Sequence, residues 1–413
     1  MHPDAVGLGP ARKLARLESA LCAVVGFIVL ALVLRFASEA VARREMNRIA
    51  PVVRAEKNQG LLLARTAISR PDLLLLYGSS ELIRPSEFRA GDFFASFPTG
   101  FAVVPIGDLG TPPLVALERL ASLGDRLRGR KVVVLLTPKT FTAAPGLPDR
   151  QPYLGVASRL QVGDVLFGGA LDRSLRRELA SRLLAYPEVL AGDSFLATAL
   201  ELSAHDSTAA QWALTVIRCL GRVQNRVLAL SDQVRVLLLP WRLGAVRAEA
   251  ARDSVAAPDF AALSQRAEIE YGEEVRGHAF GFLPAIWAHS EQVARVRGRT
   301  TDAQFLAALS ASPRWVDLEM TFRLLEHLGA DALVVSVPFA GAFWDHTGVS
   351  GVARQAYYRR VRELAERHRV RCLTLESLEY EPLFFKDPYS HPSPKGWLML
   401  DSIINDFYHD ALH

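Results

Sequence analysis

Two serines follow directly on an apolar run in the first quarter of the chain. Residues 73–76 are four leucines, and the sequence YGSSEL continues from there over residues 77–82. A short leucine run of this kind is typical of a buried strand that ends in a glycine-serine turn at the edge of a parallel sheet. A serine held at such an edge, Ser79 or Ser80, acts as a nucleophile when a base takes its proton.

The groups that such a serine needs lie near the other end of the chain. Asp387 and His391 are four residues apart, just before the last predicted helix. A histidine accepts the serine proton, and a carboxylate holds the histidine in the required orientation and tautomer. A serine early in the chain, followed by an aspartate and a histidine late in it, is an order found in hydrolases. The sequence therefore predicts serine-dependent chemistry.

Acyl chemistry also needs hydrogen-bond donors for the negative charge that develops on the carbonyl oxygen. The backbone amides of Ser80 and of a glycine such as Gly107 supply these donors without any special side chain. The simpler alternative is that Ser79 and Ser80 only cap a turn and that Asp387 is an ordinary turn residue. The distal histidine favours the catalytic interpretation.

Apolar runs and amphipathic stretches alternate along the chain, which predicts an α/β domain with a parallel sheet flanked by helices. The predicted strands cover residues 73–77, 101–105, 131–136, 332–337 and 371–375, and helices cover 113–123, 315–328, 353–368 and 395–408. From about residue 160 to 311, helical spacing without strand-like runs predicts a helical insertion. Ligands bind at the carboxyl ends of parallel strands, so the segments that follow the strands form one rim.

The N-terminal region contains a stretch without charges, residues 19–34. Its length approaches the roughly 20 residues that span a bilayer. We predict a cytoplasmic tail over 1–16, a transmembrane anchor over 17–40, a helical connector over 41–70 and the α/β domain over 71–413. A cleaved signal peptide is the alternative to an anchor. Arginines flank the stretch on both sides, so the positive-inside rule alone does not give its orientation.

The composition is that of a globular protein. The chain has 413 residues, of which 50% are hydrophobic, and this is enough for a large core. Its 48 basic and 44 acidic side chains leave a net charge of +4. The arginines are scattered, which argues against a dedicated nucleic-acid surface. The three cysteines form no CxxC motif, and no metal site or cofactor is predicted.

Three segments together resemble the DltD family of D-alanyl-lipoteichoic acid biosynthesis proteins, which look like membrane-anchored relatives of the SGNH esterases. They are GSSEL at 78–82, the Pro-x-x-Gly-x-x-x-Asp-x-Thr-Gly segment at 338–348, and Asp387 and His391 leading into Lys-Gly-Trp at 395–397. The resemblance implies that Ser80 is the nucleophile, His391 the base and Asp387 its orienting carboxylate. It also implies Gly107 as the second oxyanion donor.

The chain departs from the family pattern at Ala340, where the family tends to carry asparagine, in the segment 137–141, and in the spacing of its aspartate and histidine. The family usually spaces its aspartate and histidine as Asp-x-x-His, whereas one further residue lies between Asp387 and His391 here. Asp345 and Asp108 are therefore reserve candidates for the orienting carboxylate. Weaker candidates for substrate contacts follow from their positions on the rim: Ser79, Glu81, Lys139, Asp345 and His346.

The resemblance implies an extracytoplasmic domain that transfers D-alanyl or similar acyl esters to teichoic acid or a related surface polymer. It further implies two partners, a multipass membrane-bound O-acyltransferase and an upstream acyl carrier protein. Two alternatives stay open from the sequence. One is an esterase or thioesterase that removes acyl groups, and the other is a non-catalytic scaffold for the O-acyltransferase.

Overall fold

The structure, a computed structural model, describes residues 10–142, 150–186, 193–242, 258–288 and 300–412. Within them, one five-stranded, all-parallel sheet has the strand order β2-β1-β3-β4-β5. The strands are β1 Leu73–Tyr77, β2 Ala102–Ile106, β3 Lys131–Leu136, β4 Asp331–Ser336 and β5 Arg371–Thr374. The predicted α/β class with a parallel sheet is confirmed, and each predicted strand is present to within one residue at either end.

The strands are apolar on both faces because helices cover both sides of the sheet. In β1, Leu73 and Leu75 point into one core, whereas Leu74 and Leu76 point into the other. This alternation is the two-residue period of a strand. It explains why the sequence shows a continuous leucine run rather than an apolar-polar alternation.

Helices account for most of the rest of the described chain. Those before β3 are α1 Pro10–Ile49, α2 Ala55–Gln59, α3 Leu62–Ser69, α4 Ala90–Ser96 and α5 Pro113–Ala121. Those between β3 and β4 are α6 Arg150–Val156, α7 Arg159–Phe167, α8 Arg173–Leu183, α9 Ser194–Ala204, α10 Thr208–Leu237, α11 Leu239–Arg242, α12 Phe260–Glu274, α13 Asp302–Ala311 and α14 Arg314–Leu328. The last are α15 Gly341–Thr347, α16 Gly351–Arg367 and α17 Pro394–Tyr408.

The helices form two layers around the sheet. On one face, α3, α5, α14 and α16 contribute to the larger core, and on the other face α4, α12 and α17 contribute to the smaller one. Trp397 of α17 is fully buried in the smaller core. Between β3 and β4, the described residues belong to helices, turns or loops and none to a strand, in agreement with the helical character predicted for about 160–311.

The first part of the N-terminal helix α1 is apolar and exposed. Its last part enters the core of the domain. Residues 16–30 are exposed, whereas Ala42, Met46 and Ile49 are fully buried. Among the described residues, one helix is long and apolar enough to cross a membrane, over Arg16–Ile49. This finding fits the predicted single-pass anchor. The candidate span continues into the domain as one helix, without an intervening loop.

A buried carboxyl in α5 predicts how the stability of the domain depends on pH. Glu118 is fully buried and accepts a hydrogen bond of 2.7 Å from the Tyr153 hydroxyl. Burial raises the pKa of Glu118 from 4.5 to about 8. Between these two values the folded state keeps a proton that the unfolded state has lost, so the free energy of unfolding decreases as the pH rises.

We expect Glu118→Gln to remove this contribution, which amounts to about 1.4 kcal/mol for each pH unit inside the window. The measurement is the apparent Tm of the detergent-purified full chain at several pH values from 5 to 8. The Tm of the wild type should fall more steeply than that of the variant. The surface substitution Glu366→Gln is the control, and parallel curves for wild type and Glu118→Gln would contradict the assignment.

Candidate active site

A short turn carries Ser80 out of the carboxyl end of β1. The turn covers Ser80–Leu82, and Ser80 is partly exposed at its start. Glu81 folds back beneath it: one carboxylate oxygen accepts the Ser79 N–H at 2.6 Å, and the other accepts the Thr137 hydroxyl at 3.4 Å. Burial raises the pKa of Glu81. Glu81, a candidate substrate contact from the sequence, is thus a buried support of the serine turn.

The structure brings Ser80, His391 and Asp387 together in one line of hydrogen bonds. Ser80 Oγ lies 2.8 Å from His391 Nε2, and His391 Nδ1 lies 2.6 Å from Asp387 Oδ2. Both His391 and Asp387 are buried. A carboxylate at Nδ1 fixes the proton on that nitrogen, so Nε2 is left as the acceptor for the serine proton.

The loop between Asp387 and His391 accommodates the additional residue by closing on itself. Phe385 and Pro392 pair as an isolated antiparallel bridge, and the Lys386 N–H donates to the His391 carbonyl at 3.0 Å. Ser390 has a left-handed φ of +67° at the tightest point of this loop. This geometry turns the His391 ring back toward Asp387.

The second oxygen of Asp387 stabilises the same loop. Oδ1 accepts the backbone N–H of Tyr389 at 2.9 Å and that of His391 at 3.3 Å. A carboxylate that accepts several backbone donors is held in one orientation. The carboxylate therefore fixes both the histidine ring and the loop that carries it.

Gly107, at the end of β2, lies against the serine turn. A Cβ atom built on Gly107 would lie 2.6 Å from the carbonyl oxygen of Gly78, closer than any side chain tolerates. On the other side, Asn58 Nδ2 donates to the Gly107 carbonyl at 2.6 Å. Sequence reasoning missed Asn58, because it lies in the connector helix α2 and no motif links it to the β2 loop.

Lys139 lies beside the Asp387–His391 loop, on the short helical turn Pro138–Thr142 that follows β3. Its ammonium is 3.8 Å from the centre of the Tyr389 ring, within the range of a cation–π contact. Burial lowers the pKa of Lys139 to about 8, and the Asp387 carboxylate opposes this shift. The structure thus places Lys139 next to the three hydrogen-bonded residues, as its position after β3 suggested.

The other candidates from the sequence lie in separate interactions. Asp345 accepts hydrogen bonds of 2.7 Å from both the buried Arg354 and the Tyr380 hydroxyl. Asp108 accepts the Leu109 N–H, and Ser79 donates to the Asp108 carbonyl at 3.3 Å. The reserve carboxylates Asp345 and Asp108 are therefore not the partners of the histidine ring.

His346, on α15, packs against an aromatic side chain. The centres of the His346 and Phe280 rings are 5.2 Å apart, in an edge-to-face arrangement. No hydrogen bond in the described part of the structure joins His346 to Ser80 or His391. Its role as a substrate contact stays a prediction.

Comparison with known proteins identifies a family and two relatives that are similar to this chain over most of its length. The family described as DltD protein matches residues 50–409. The chain belongs to the DltD family. It is 25% identical to Protein DltD of Bacillus subtilis (strain 168) over 85% of this chain and 86% of the relative. It is 24% identical to Protein DltD of Staphylococcus aureus (strain NCTC 8325 / PS 47), over 80% and 79% of the two chains.

Membership of the DltD family supports a role in the cell envelope and confirms the resemblance seen in the sequence. The family match includes the serine turn, the β2 loop and the Asp387–His391 loop, but not the apolar half of α1. Ser80 leaves β1, whose neighbours in the sheet are β2 on one side and β3 on the other. The chain order reverses at this point of the sheet, which is where open α/β sheets bind ligands.

The close contact between Gly107 and Gly78 leads to a test of the site's geometry. We expect Gly107→Ala to force the β2 loop away from the serine turn, because the added Cβ meets a backbone carbonyl that has little freedom to move. The expected results are a lower apparent Tm and slower labelling of Ser80 by a serine-reactive fluorophosphonate.

Gly155→Ala is the matched control. Gly155 lies in α6, and an added Cβ there would have no atom within 4 Å. Alanine is also the better helix former, so this variant should be as stable as the wild type or slightly more stable. Equal Tm values and equal labelling rates for the two alanine variants would show that the contact does not constrain the site.

Proposed function

We propose that this chain is a serine-dependent acyltransferase of the cell envelope, which transfers D-alanyl or similar acyl groups to hydroxyls of teichoic acid or a related surface polymer. The observation that carries the proposal is the line of hydrogen bonds from Ser80 through His391 to Asp387. Membership of the DltD family supports the cell-envelope context.

In the first half-reaction, Ser80 Oγ attacks the carbonyl carbon of an activated acyl ester or thioester while His391 Nε2 accepts its proton. The backbone amides of Ser80 and Gly107 donate to the oxyanion of the tetrahedral intermediate. When the intermediate collapses, the bond to the leaving group breaks and His391 returns the proton to that group. An acyl-serine remains on the enzyme.

In the second half-reaction, a polymer hydroxyl gives its proton to His391 Nε2 and its oxygen attacks the acyl-serine. The bond between Ser80 Oγ and the acyl carbon then breaks, and the proton returns to Oγ. Asp387 keeps its hydrogen bond to Nδ1 throughout and stabilises the imidazolium form of His391 in both halves.

The charge beside the site suits a polyanionic acceptor. Lys139 has a pKa of about 8, so its ammonium is largely protonated near neutral pH. Ammonium groups bind phosphate as point charges. We propose that Lys139 contacts a phosphodiester of the acceptor chain and so places the neighbouring hydroxyl near the acyl-serine. Ser79 and Glu81 then act through the serine turn, with no direct substrate contact.

Hydrolysis is the same chemistry with water as the acceptor, and an esterase or thioesterase is the alternative function. Both functions need the hydrogen bonds that join Ser80, His391 and Asp387, so these bonds do not distinguish between the two. They differ in whether a polymer hydroxyl competes successfully with water for the acyl-serine. A non-catalytic scaffold would not require Ser80, His391 and Asp387 to be aligned.

Membership of the DltD family also supports the proposal that two partner proteins take part in this reaction. A multipass membrane-bound O-acyltransferase would deliver the acyl group across the bilayer, and an acyl carrier protein would supply it on the cytoplasmic side. The catalytic domain then acts on the outer side of the membrane, attached through α1. An acyl donor that arrives through the bilayer would reach Ser80 from the side of the anchor.

The first test of the function is labelling by a fluorophosphonate, followed by turnover. We expect Ser80→Ala to abolish labelling and His391→Ala to slow it by about 10²–10⁴-fold, the usual contribution of a general base. Asp387→Asn should slow it by up to about 10⁴-fold, because the asparagine favours the wrong tautomer. Ser96→Ala, at an exposed serine of α4, is the matched control and should label like the wild type.

The turnover assay uses a D-alanyl thioester of N-acetylcysteamine as the donor and a short glycerol-phosphate oligomer as the acceptor, with the full chain in detergent. Formation of D-alanyl ester on the oligomer supports the transferase. Release of free D-alanine alone points to the thioesterase. Equal labelling of Ser80→Ala and wild type, together with no turnover of the donor, would contradict both enzymatic functions and leave the scaffold.

The proposed orientation has a separate test, a reporter fused after the C-terminus of the full chain. Alkaline phosphatase matures only outside the cytoplasm, whereas a green fluorescent protein exported in unfolded form stays dark. We expect phosphatase activity and no fluorescence. The opposite pattern would place the domain in the cytoplasm and would favour the thioesterase.

A further inference from the structure

The long helix α10 is apolar on its outer side. Six exposed apolar side chains follow one another along it at intervals of three, four or seven residues: Trp212, Val216, Leu220, Val223, Val227 and Val234. A helix turns by about 100° per residue, so these side chains fall within an arc of roughly 80°. We call them the α10 stripe. Trp212 is 72% exposed.

The inner side of the same helix is buried in the domain. Its buried residues, among them Leu214, Gly221 and Val236, lie on the side opposite the α10 stripe. Asp232 accepts the backbone N–H groups of Leu61 and Leu62 at 2.9 and 3.0 Å and so ties α10 to the start of α3. A surface helix in water normally has a polar outer side, so the stripe marks a contact surface.

The α10 stripe is continuous with the candidate membrane span. Phe27 and Ile28 of α1 line one groove together with Val223 and Val227 of α10. This groove has a volume of about 810 Å³. Phe27 and Ile28 belong to the uncharged stretch 19–34. The middle of α10 therefore lies at the level of the span, where the surroundings of an anchored protein are lipid.

Five of the ten polar residues that line the same groove are arginines. They are Arg35, Arg43, Arg65, Arg126 and Arg226. Arg35 and Arg43 lie within ion-pair distance of Glu39, and Arg65 within that of Asp164. Arginines at the edge of an apolar surface extend their apolar stems along it and place the charge among lipid phosphates. An apolar stripe with a basic edge is the composition of helices that lie in a membrane interface.

We infer that the α10 stripe is a second membrane-contacting surface, which lies against bilayer lipids beside α1 while Arg226 at its edge contacts anionic lipid phosphates. The inference depends on the span of α1 but not on the chemistry of Ser80. The domain would then be attached to the bilayer along two helices instead of one. A second copy of the chain is the competing occupant of this surface.

The test uses the full chain in liposomes of phosphatidylglycerol and phosphatidylcholine, with no other protein. Cys219 is exposed, lies between Val216 and Leu220, and accepts a nitroxide spin label in a Cys22→Ser/Cys372→Ala background. The control is the same background with Cys219→Ser and Val352→Cys, because Val352 is 84% exposed on α16. Relaxation by oxygen reports lipid, and relaxation by a water-soluble nickel chelate reports water.

We expect a higher ratio of oxygen to nickel relaxation at Cys219 than at Val352→Cys. An equal ratio at the two sites would place the stripe in water and overturn the inference. Protection of Cys219 from both reagents would mean that protein covers the stripe, which in these liposomes is a second copy, and would overturn it as well.

A second measurement needs no label. Lipids brominated on their acyl chains quench only tryptophans that contact the hydrocarbon. Both proteins carry Trp241→Phe, because Trp241 is 80% exposed. In this background we expect quenching that is largely lost on adding Trp212→Phe, a conservative change at an exposed position. Quenching that is identical in the two proteins would show that Trp212 does not contact lipid.

Discussion

The site depends on one contact between distant parts of the chain, the hydrogen bond between Ser80 and His391. These residues are separated by 311 positions in sequence. Each has its own rigid support, the leucine-rich strand β1 for the serine and the closed loop in front of α17 for the histidine. Both supports meet at the carboxyl edge of the sheet because all the described strands run in the same direction.

Buried polar groups fix the geometry of this edge. Glu81 holds the turn before Ser80, Asp387 holds the loop before His391, and Asn58 holds the carbonyl of Gly107. Each of them is shielded from water and makes hydrogen bonds to the backbone. Buried polar groups that are paired in this way fix the loops they join, because a displaced loop would leave them without partners.

Much of the fold and part of the site follow from the sequence, for physical reasons that can be identified. Buried parallel strands are continuous apolar runs, so β1 and β3 are recognised with their correct bounds. The alignment of Asp387 with His391 is less readily predicted from their spacing, since it depends on the left-handed backbone at Ser390. A spacing of four residues gives no information about that backbone angle.

Other features need three-dimensional contacts that no local pattern contains. Glu81 follows the two serines directly, so its position suggests a substrate contact, yet the turn folds its carboxylate beneath Ser79. Asn58 reaches Gly107 only because α2 packs next to the end of β2. Asp345 belongs to the family-like segment but is paired with Arg354. In each case a hydrogen-bond partner that the folded chain supplies, not the sequence motif, fixes the position of the side chain.

Under the proposed function, the unbroken course of α1 would restrict how the domain meets a long polymeric substrate. The helix enters the core at Ala42 and ends at Ile49, and α2 begins at Ala55, so the candidate span and the first core contacts belong to the same helix. With α1 as the proposed anchor, Ser80 would be held at a fixed height above the membrane. A catalytic group held in this way does not search along a polymer. The polymer's own thermal motion, and the distance of each repeat from its attachment point, would decide which hydroxyls are modified.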